Sequence, residues 1–167
     1  MAEENKMREV KIEKVVLSIS SSGENLDKGT KLLERITGEK AAKRKTRKRI
    51  PALGVRPGLE IGVMVTLRGK KAIDVFKKLL AAIDNQIRSK QVTENSFSFG
   101  IKEYIEIPGM TYQRDIGIIG FDVSVSFSRA GKRIERRKIK KSKMAGKQQV
   151  TKEEIIWFLE GMGVRVI

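Results

Sequence analysis

The sequence predicts an α+β fold, a mainly antiparallel sheet with helices packed on one face and a long basic loop. Three observations predict it. Residues 97–107 and 119–128 alternate apolar and polar with period two, the mark of strands with one buried face. Residues 71–87 instead space their apolar side chains three and four apart, the mark of an amphipathic helix. Finally, two strand-like runs follow each other directly, so the elements do not alternate as a parallel βαβ sheet requires.

Taken in order, residues 1–7 read as a flexible tail and residues 8–167 as a single domain. Glu9 to Ser20 alternates early, at Val10 and Ile12, then runs apolar through Val15, Val16, Leu17 and Ile19, as a strand passing from half-exposed to buried. Ser20 to Gly23 makes a turn. Asn25 is placed to cap a helix whose inner side carries Leu26, Leu32, Leu33 and Ile36, and Gly38 is placed to close it. Leu59 to Arg68 is a second strand, broken by Gly69. The helix expected over 71–87 has Ile73, Phe76, Leu79, Leu80, Ile83 and Ile87 as its stripe. In the strand over 97–107 the apolar parity holds Phe97, Phe99, Ile101, Ile105 and Ile107; Pro108 and Gly109 then turn the chain. The strand over 119–128 sets Ile119, Phe121, Val123, Val125 and Phe127 against Asp122, Ser124, Ser126 and Ser128. Thr151 and Glu154 form a capping box for a short helix with Ile155, Ile156 and Leu159 inside, and Trp157 as a further candidate. Residues 164–167 are expected to add an edge strand.

The formal charge of +16 is not spread evenly. Residues 38–57 carry a net +7 and residues 129–147 a net +9, so the remaining chain is neutral. A merely solubilising surface mixes its signs, whereas two concentrated cationic segments fit a large polyanion such as RNA. The first segment contains Lys43, Arg44, Lys45, Arg47, Lys48, Arg49 and Arg56 and leads through Pro51, Gly54, Pro57 and Gly58 into strand sequence. A basic cluster alone also fits a disordered tag or a nuclear address, but this one is internal and tethered at both ends. The second segment would supply Arg133, Arg136, Arg137, Lys138, Lys140 and Lys141 as additional RNA contacts, as a loop or a partly helical arm that orders on RNA, and simple disorder fits it equally well. An uncovered sheet face carrying Ser, Thr and Lys would make an RNA platform, with the Phe residues in the core and not available to stack on bases.

Other chemistries are poorly supplied. The chain has no cysteine and no histidine, which removes thiol nucleophiles, disulfides, imidazole bases and zinc sites of the usual kinds. The pairs Glu103/Glu106, Asp115/Asp122 and Glu153/Glu154 read as surface or helix-start charges. The phosphate-loop pattern is missing, since Gly69-Lys70-Lys71 has the wrong spacing and no hydroxyl follows. No cofactor and no metal are expected. The opening MAEENKMREVKIEK has no apolar core and no apolar run approaches membrane-spanning length, so a soluble, intracellular protein is expected, with no membrane partner.

Four stretches resemble a known family, the universal fifth protein of the large ribosomal subunit. They are IEKVVLSIS (12–20), LLERITGEKAAKRKTRK (32–48), GVRPGLEIGVMVTLRGKKAIDVFKKLL (54–80) and NSFSFGIKEYIEIPGMTYQRDIGIIGFDVSVSF (95–127). VTLRG followed by the amphipathic helix is the most specific of these. The basic segment after residue 128, then TKEEIIWFLE, is similar to the archaeal–eukaryotic branch, and the lack of cysteine and histidine points to its archaeal side. The resemblance implies a non-enzymatic, cytoplasmic ribosomal protein that binds 5S rRNA and helps attach it to the central protuberance. It implies that the loop over residues 43–58 faces the peptidyl-site tRNA, and that the protein joins a bridge to a small-subunit head protein. Large-subunit rRNA and neighbouring 5S-binding ribosomal proteins would be its other partners. By the same resemblance Ser18, Gly38, Lys40, Thr66 and Arg68 would form the 5S-facing surface. The chain departs from the family pattern at Ser18, usually Asn, and at Glu39, often Gln. Without the resemblance, the alternatives are a carboxylate-dependent RNA-processing enzyme, with Asp115 or Asp122 at work, or an architectural DNA binder.

Overall fold

In a computed structural model, which describes residue 5 and residues 7–167, the organising element is the first strand. The expected tail over residues 1–7 falls mostly outside the described residues. Strand β1 (Lys11–Ser20) pairs antiparallel on one side with β3 (Glu60–Leu67) and on the other with β7 (Phe121–Ser128). Strand β2 (Ala42–Lys45) flanks β3, and β6 (Ser96–Ile101) followed by β5 (Val92–Thr93) flanks β7. The resulting six-stranded order is β2-β3-β1-β7-β6-β5, antiparallel throughout.

Alternation decides the two faces. The register sets Val15 opposite Leu67 and Val125, and Leu17 opposite Val65 and Val123. Phe97 and Phe99 continue these rows on β6, so the apolar side chains of four strands share one face and are buried. Three helices cover that face: α1 (Glu24–Thr37), α2 (Gly69–Ala81) and α4 (Lys152–Gly161). They bring Leu32, Leu33, Phe76, Leu79, Ile155 and Leu159 into the same core. Phe76 meets Phe97 edge-on with ring centroids 5.8 Å apart, and Phe158 meets Phe127 at 5.5 Å. The α+β class and the one-sided helical cover are those the sequence predicts. No helix among the described residues is long and apolar enough to cross a membrane.

Several boundaries differ from expectation, each for a physical reason. Helix α2 stops at Ala81 and not at residue 87, because Asp84 and Asn85 both take left-handed φ, 53° and 54°. Ile87 is buried as predicted, but in a short strand, β4 (Gln86–Ile87), paired in parallel with β8 (Arg165–Val166). The C-terminal strand therefore joins this separate two-stranded sheet and not the edge of the main one. Within α2, Ala72 takes the inner position and Ile73 is left 39% exposed.

The strand expected to reach residue 107 ends at Ile101, and Tyr104 to Glu106 form a 3-10 turn that buries Tyr104 and exposes Ile105. There the returning chain crowds the strand: a Cβ at Gly120 would stand 2.6 Å from the Lys102 carbonyl oxygen. The cap of α1 is Gly23 at φ 64°, with no side-chain hydrogen bond, so Asn25 lies inside the helix instead. Gly38 does close α1 in the left-handed conformation, its N–H donating to the Glu34 carbonyl. The capping box of Thr151 and Glu154 forms in both directions. Trp157 lies outside the core, 78% exposed.

Candidate RNA-binding surface

The sheet face opposite the helices is built from the other parity, and that parity is small and polar. One row runs Ser98, Ser124, Val16, Thr66 across four strands, and the next runs Gly100, Asp122, Ser18, Met64, Ala42 across five. Ser18 and Thr66 thus belong to adjacent rows of one open face, Ser18 half-buried and Thr66 exposed. Short side chains on a pleated surface leave the backbone itself close to any ligand laid across it.

Arg68 follows Thr66 on the same strand parity, exposed at the start of α2, with its guanidinium 3.6 Å from Glu13. Gly38 and Lys40 lie in the turn between α1 and β2, both exposed. Between them Glu39 is held by Lys71, and its backbone N–H donates to the Thr37 hydroxyl at 3.2 Å. The Glu39 carboxylate is therefore paired where it stands.

The first basic segment differs from the predicted free loop. It begins as strand β2, and its antiparallel ladder continues past the strand, with the Thr46 N–H donating to Leu59 and the Gly58 N–H to Thr46, both at 2.9 Å. Ile50 and Val55 bridge again nearer the tip, around a 3-10 turn over Pro51–Leu53. The segment is a hairpin that extends the sheet at its edge. Strand parity divides its cations. Lys43 points toward the helices and donates to Asp27 at 2.8 Å, a bond that raises the lysine and lowers the aspartate from their ordinary pKa values. Lys45 sits 3.8 Å from Glu60. Arg44, opposite Gly62, has the open-face parity. Arg44, Arg47, Lys48, Arg49 and Arg56 are all exposed, and none has an acidic partner among the described residues.

The second basic segment is tethered, with one short helix, α3 (Arg133–Arg136), inside it. Arg129 clasps its two ends, donating to the Lys147 carbonyl at 2.9 Å and to the Glu154 carboxylate. The Gln148 amide donates to the Ala130 carbonyl at 3.2 Å. Glu13, with a side chain only 9% exposed, receives Lys132 at 3.0 Å and also Arg136. Partial burial alone would raise the Glu13 carboxyl, but the hydrogen bonds from Lys132 and Arg136 outweigh it and hold the group below the ordinary glutamate range. Of the predicted contacts here, Arg136 is thus committed to Glu13, and Arg137 donates through Nε to the Lys140 carbonyl at 2.6 Å. Arg133, Lys138, Lys140 and Lys141 face solvent.

Sequence reasoning missed Glu13 and Arg129. Glu13 carried a signal, since it shares the odd parity of Val15, Leu17 and Ile19, where a charge is out of place. Arg129 carried none, lost within a run of like residues.

An open sheet face of hydroxyls, flanked by a cationic hairpin and a tethered cationic arm, defines a nucleic-acid-binding protein of the α+β class. Comparison with known proteins places it more narrowly. Residues 5–56 match the family model for ribosomal protein L5, and residues 60–158 match the model for the C-terminus of that ribosomal family. The large ribosomal subunit protein uL5 of Nanoarchaeum equitans is 49% identical, with 98% of this chain and 99% of that protein covered. Those of Archaeoglobus fulgidus and Aeropyrum pernix are 44% and 42% identical, over 98% and 92% of this chain and 93% and 82% of theirs. The chain belongs to the ribosomal protein L5 family, and as such is a structural, non-enzymatic protein of the large ribosomal subunit.

Proposed function

We propose that the open sheet face binds 5S rRNA and helps attach it to the central protuberance, while the hairpin reaches the peptidyl-site tRNA. Residues 8–167 act as one domain in this cytoplasmic, ribosomal role, and one continuous core supports that reading. The protein also meets large-subunit rRNA, neighbouring 5S-binding ribosomal proteins and, across an inter-subunit bridge, a small-subunit head protein. Ser18, Thr66 and Arg68, with the turn at Gly38 and Lys40, form the 5S-facing surface. Arg44, Lys45, Arg47, Lys48, Arg49 and Arg56 supply phosphate contacts on the hairpin, while Lys43, bonded to Asp27, anchors the hairpin to α1. Arg133, Lys138, Lys140 and Lys141 add RNA contacts from the second segment, while Arg136 and Arg137, held by Glu13 and the Lys140 carbonyl, fix its shape.

The observation that carries this reading is the division of the surface. Cations project from the edges, where they neutralise phosphates without reading them, and rows of short, mostly uncharged side chains lie between, where shape and hydrogen bonding discriminate. The test is competition: labelled 5S rRNA on the purified protein at near-physiological salt, challenged with excess tRNA and duplex DNA. Retention of 5S rRNA is expected. Equal displacement by any polyanion would mean that only charge is recognised, and would sink the 5S assignment.

A further inference from the structure

At the end of β1 the open face deepens into a cleft of about 620 Å³. Gly100, Asp122 and Ser18 lie side by side along it, aligned by the registers of β6, β7 and β1, and Asn25, Lys102 and Ile118 are among the other residues that line it. Asp122 is the chemical oddity. It is an exposed carboxylate on the surface read as meeting RNA, and among the described residues it enters no ion pair.

A carboxylate cannot be laid against a phosphate, because the two repel, and when ionised it can only accept hydrogen bonds. RNA placed on Asp122 must therefore present donors. Cytosine and adenine each offer one amino group beside a ring nitrogen that is itself an acceptor and faces the carboxylate unfavourably. Guanine alone offers two parallel N–H donors, N1 and N2, matching the two oxygens of one carboxylate in a charge-assisted pair. In a duplex those donors are engaged, so the guanine must be unpaired, as single-stranded RNA recognition generally requires.

The surroundings fit such a base. A Cβ at residue 100 would stand 3.4 Å from Asp122 Oδ1, so the carboxylate lies over a bare Cα and glycine leaves the space beside it open. Ile118, 64% exposed, offers an apolar surface to the flat of the ring, and Lys102 a cation for its phosphate. Resting on the reading of this face as an RNA surface, we propose that the cleft takes an unpaired guanine, with Asp122 reading its Watson–Crick edge.

The experiment is an NMR titration of the ¹⁵N-labelled full chain with guanosine, inosine, adenosine and cytidine 5′-monophosphates. Saturable shifts at the Gly100 and Ser18 amides are expected with the guanosine nucleotide. Inosine lacks the N2 amine and should bind about tenfold more weakly, the size of one good base-edge contact. Asp122→Asn, at an exposed position, should keep the folded spectrum and abolish the preference for guanine. Equal shifts from all four nucleotides, or shifts confined to the basic hairpin, would overturn the proposal. The 5S competition run on both proteins separates the two readings. Wild-type protein that fails it but keeps guanine selectivity supports the cleft and sinks the 5S assignment. Wild-type protein that passes it, with Asp122→Asn binding 5S rRNA equally well, overturns the cleft.

Discussion

Thr66 and Glu13 show how differently two side chains of one sheet serve the surface. Thr66 is exposed on the open face and carries no charge, so any contact it makes with RNA is a hydrogen bond. Thr66→Ala is expected to weaken 5S rRNA binding while leaving the slope of log affinity against log salt unchanged, because no counterion is released at a neutral side chain. Binding isotherms at several salt concentrations check this; a slope that falls with the affinity would mean the loss lies in charge. Glu13 acts on the protein itself. Its carboxyl is held below its ordinary value of 4.5, so the ionised form binds Lys132 and Arg136 in the folded state only. The stability this contributes is present above the ordinary glutamate value and is lost as pH falls through the lower folded one. The protection factors of the α3 amides, exchange rates taken relative to the unstructured chain at the same pH, should therefore fall on the acid side of pH 4.5. In Glu13→Gln that acid step should be gone and exchange already faster at neutral pH. Wild-type protection factors in α3 that do not change in acid would show that the tether does not rest on Glu13.

At the scale of elements, the hairpin that extends β2 and β3 is the clearest functional unit. Its backbone is ordered by the ladder that continues to Thr46 and Leu59, so its free cations are displayed on a defined frame instead of a fluctuating tether. Pre-ordering reduces the entropy lost on binding. Replacing Arg47, Lys48 and Arg49 together by Ala should lower the salt slope for RNA binding by about one unit for each phosphate no longer neutralised. The fold should survive, since all three are exposed and lie outside the core. An unchanged slope would remove the hairpin from the phosphate-binding surface. The second basic segment is constrained differently, by Arg129 across its ends and by Glu13 at its middle.

Across the whole molecule, β1 is the central support. It pairs with strands distant in sequence on both sides, and Val15 and Leu17 are wholly buried beneath the helices. Leu17→Ala should cost about 2–5 kcal/mol in unfolding free energy, the range for deleting a buried leucine side chain. Urea denaturation measures it, and a loss well under about 1 kcal/mol would mean the site collapses to fill the cavity. Because the open face is made by the same strands whose other side is the core, such a variant tests the coupling of stability to binding. At temperatures where it stays folded, its 5S rRNA affinity should match the wild type.

What the sequence determined by itself is what local periodicity and composition encode. The α+β class, the buried parities of β1, β3, β6 and β7, the capping box at Thr151 and the two cationic segments all follow from neighbours a few residues apart. The tertiary structure decided what depends on distant partners. Helix α2 ends early because Asp84 and Asn85 turn the chain out of it and Ile87 pairs with β8 some eighty residues away, a partner that the helical spacing up to Ile87 could not reveal. The basic run became a hairpin because β3 offered it an edge. Lys43, Arg136 and Arg137 were drawn into internal contacts while their chemically identical neighbours stayed free, since pairing depends on where Asp27, Glu13 and the Lys140 carbonyl come to lie. Charge is legible in a sequence; its partner is a property of the fold.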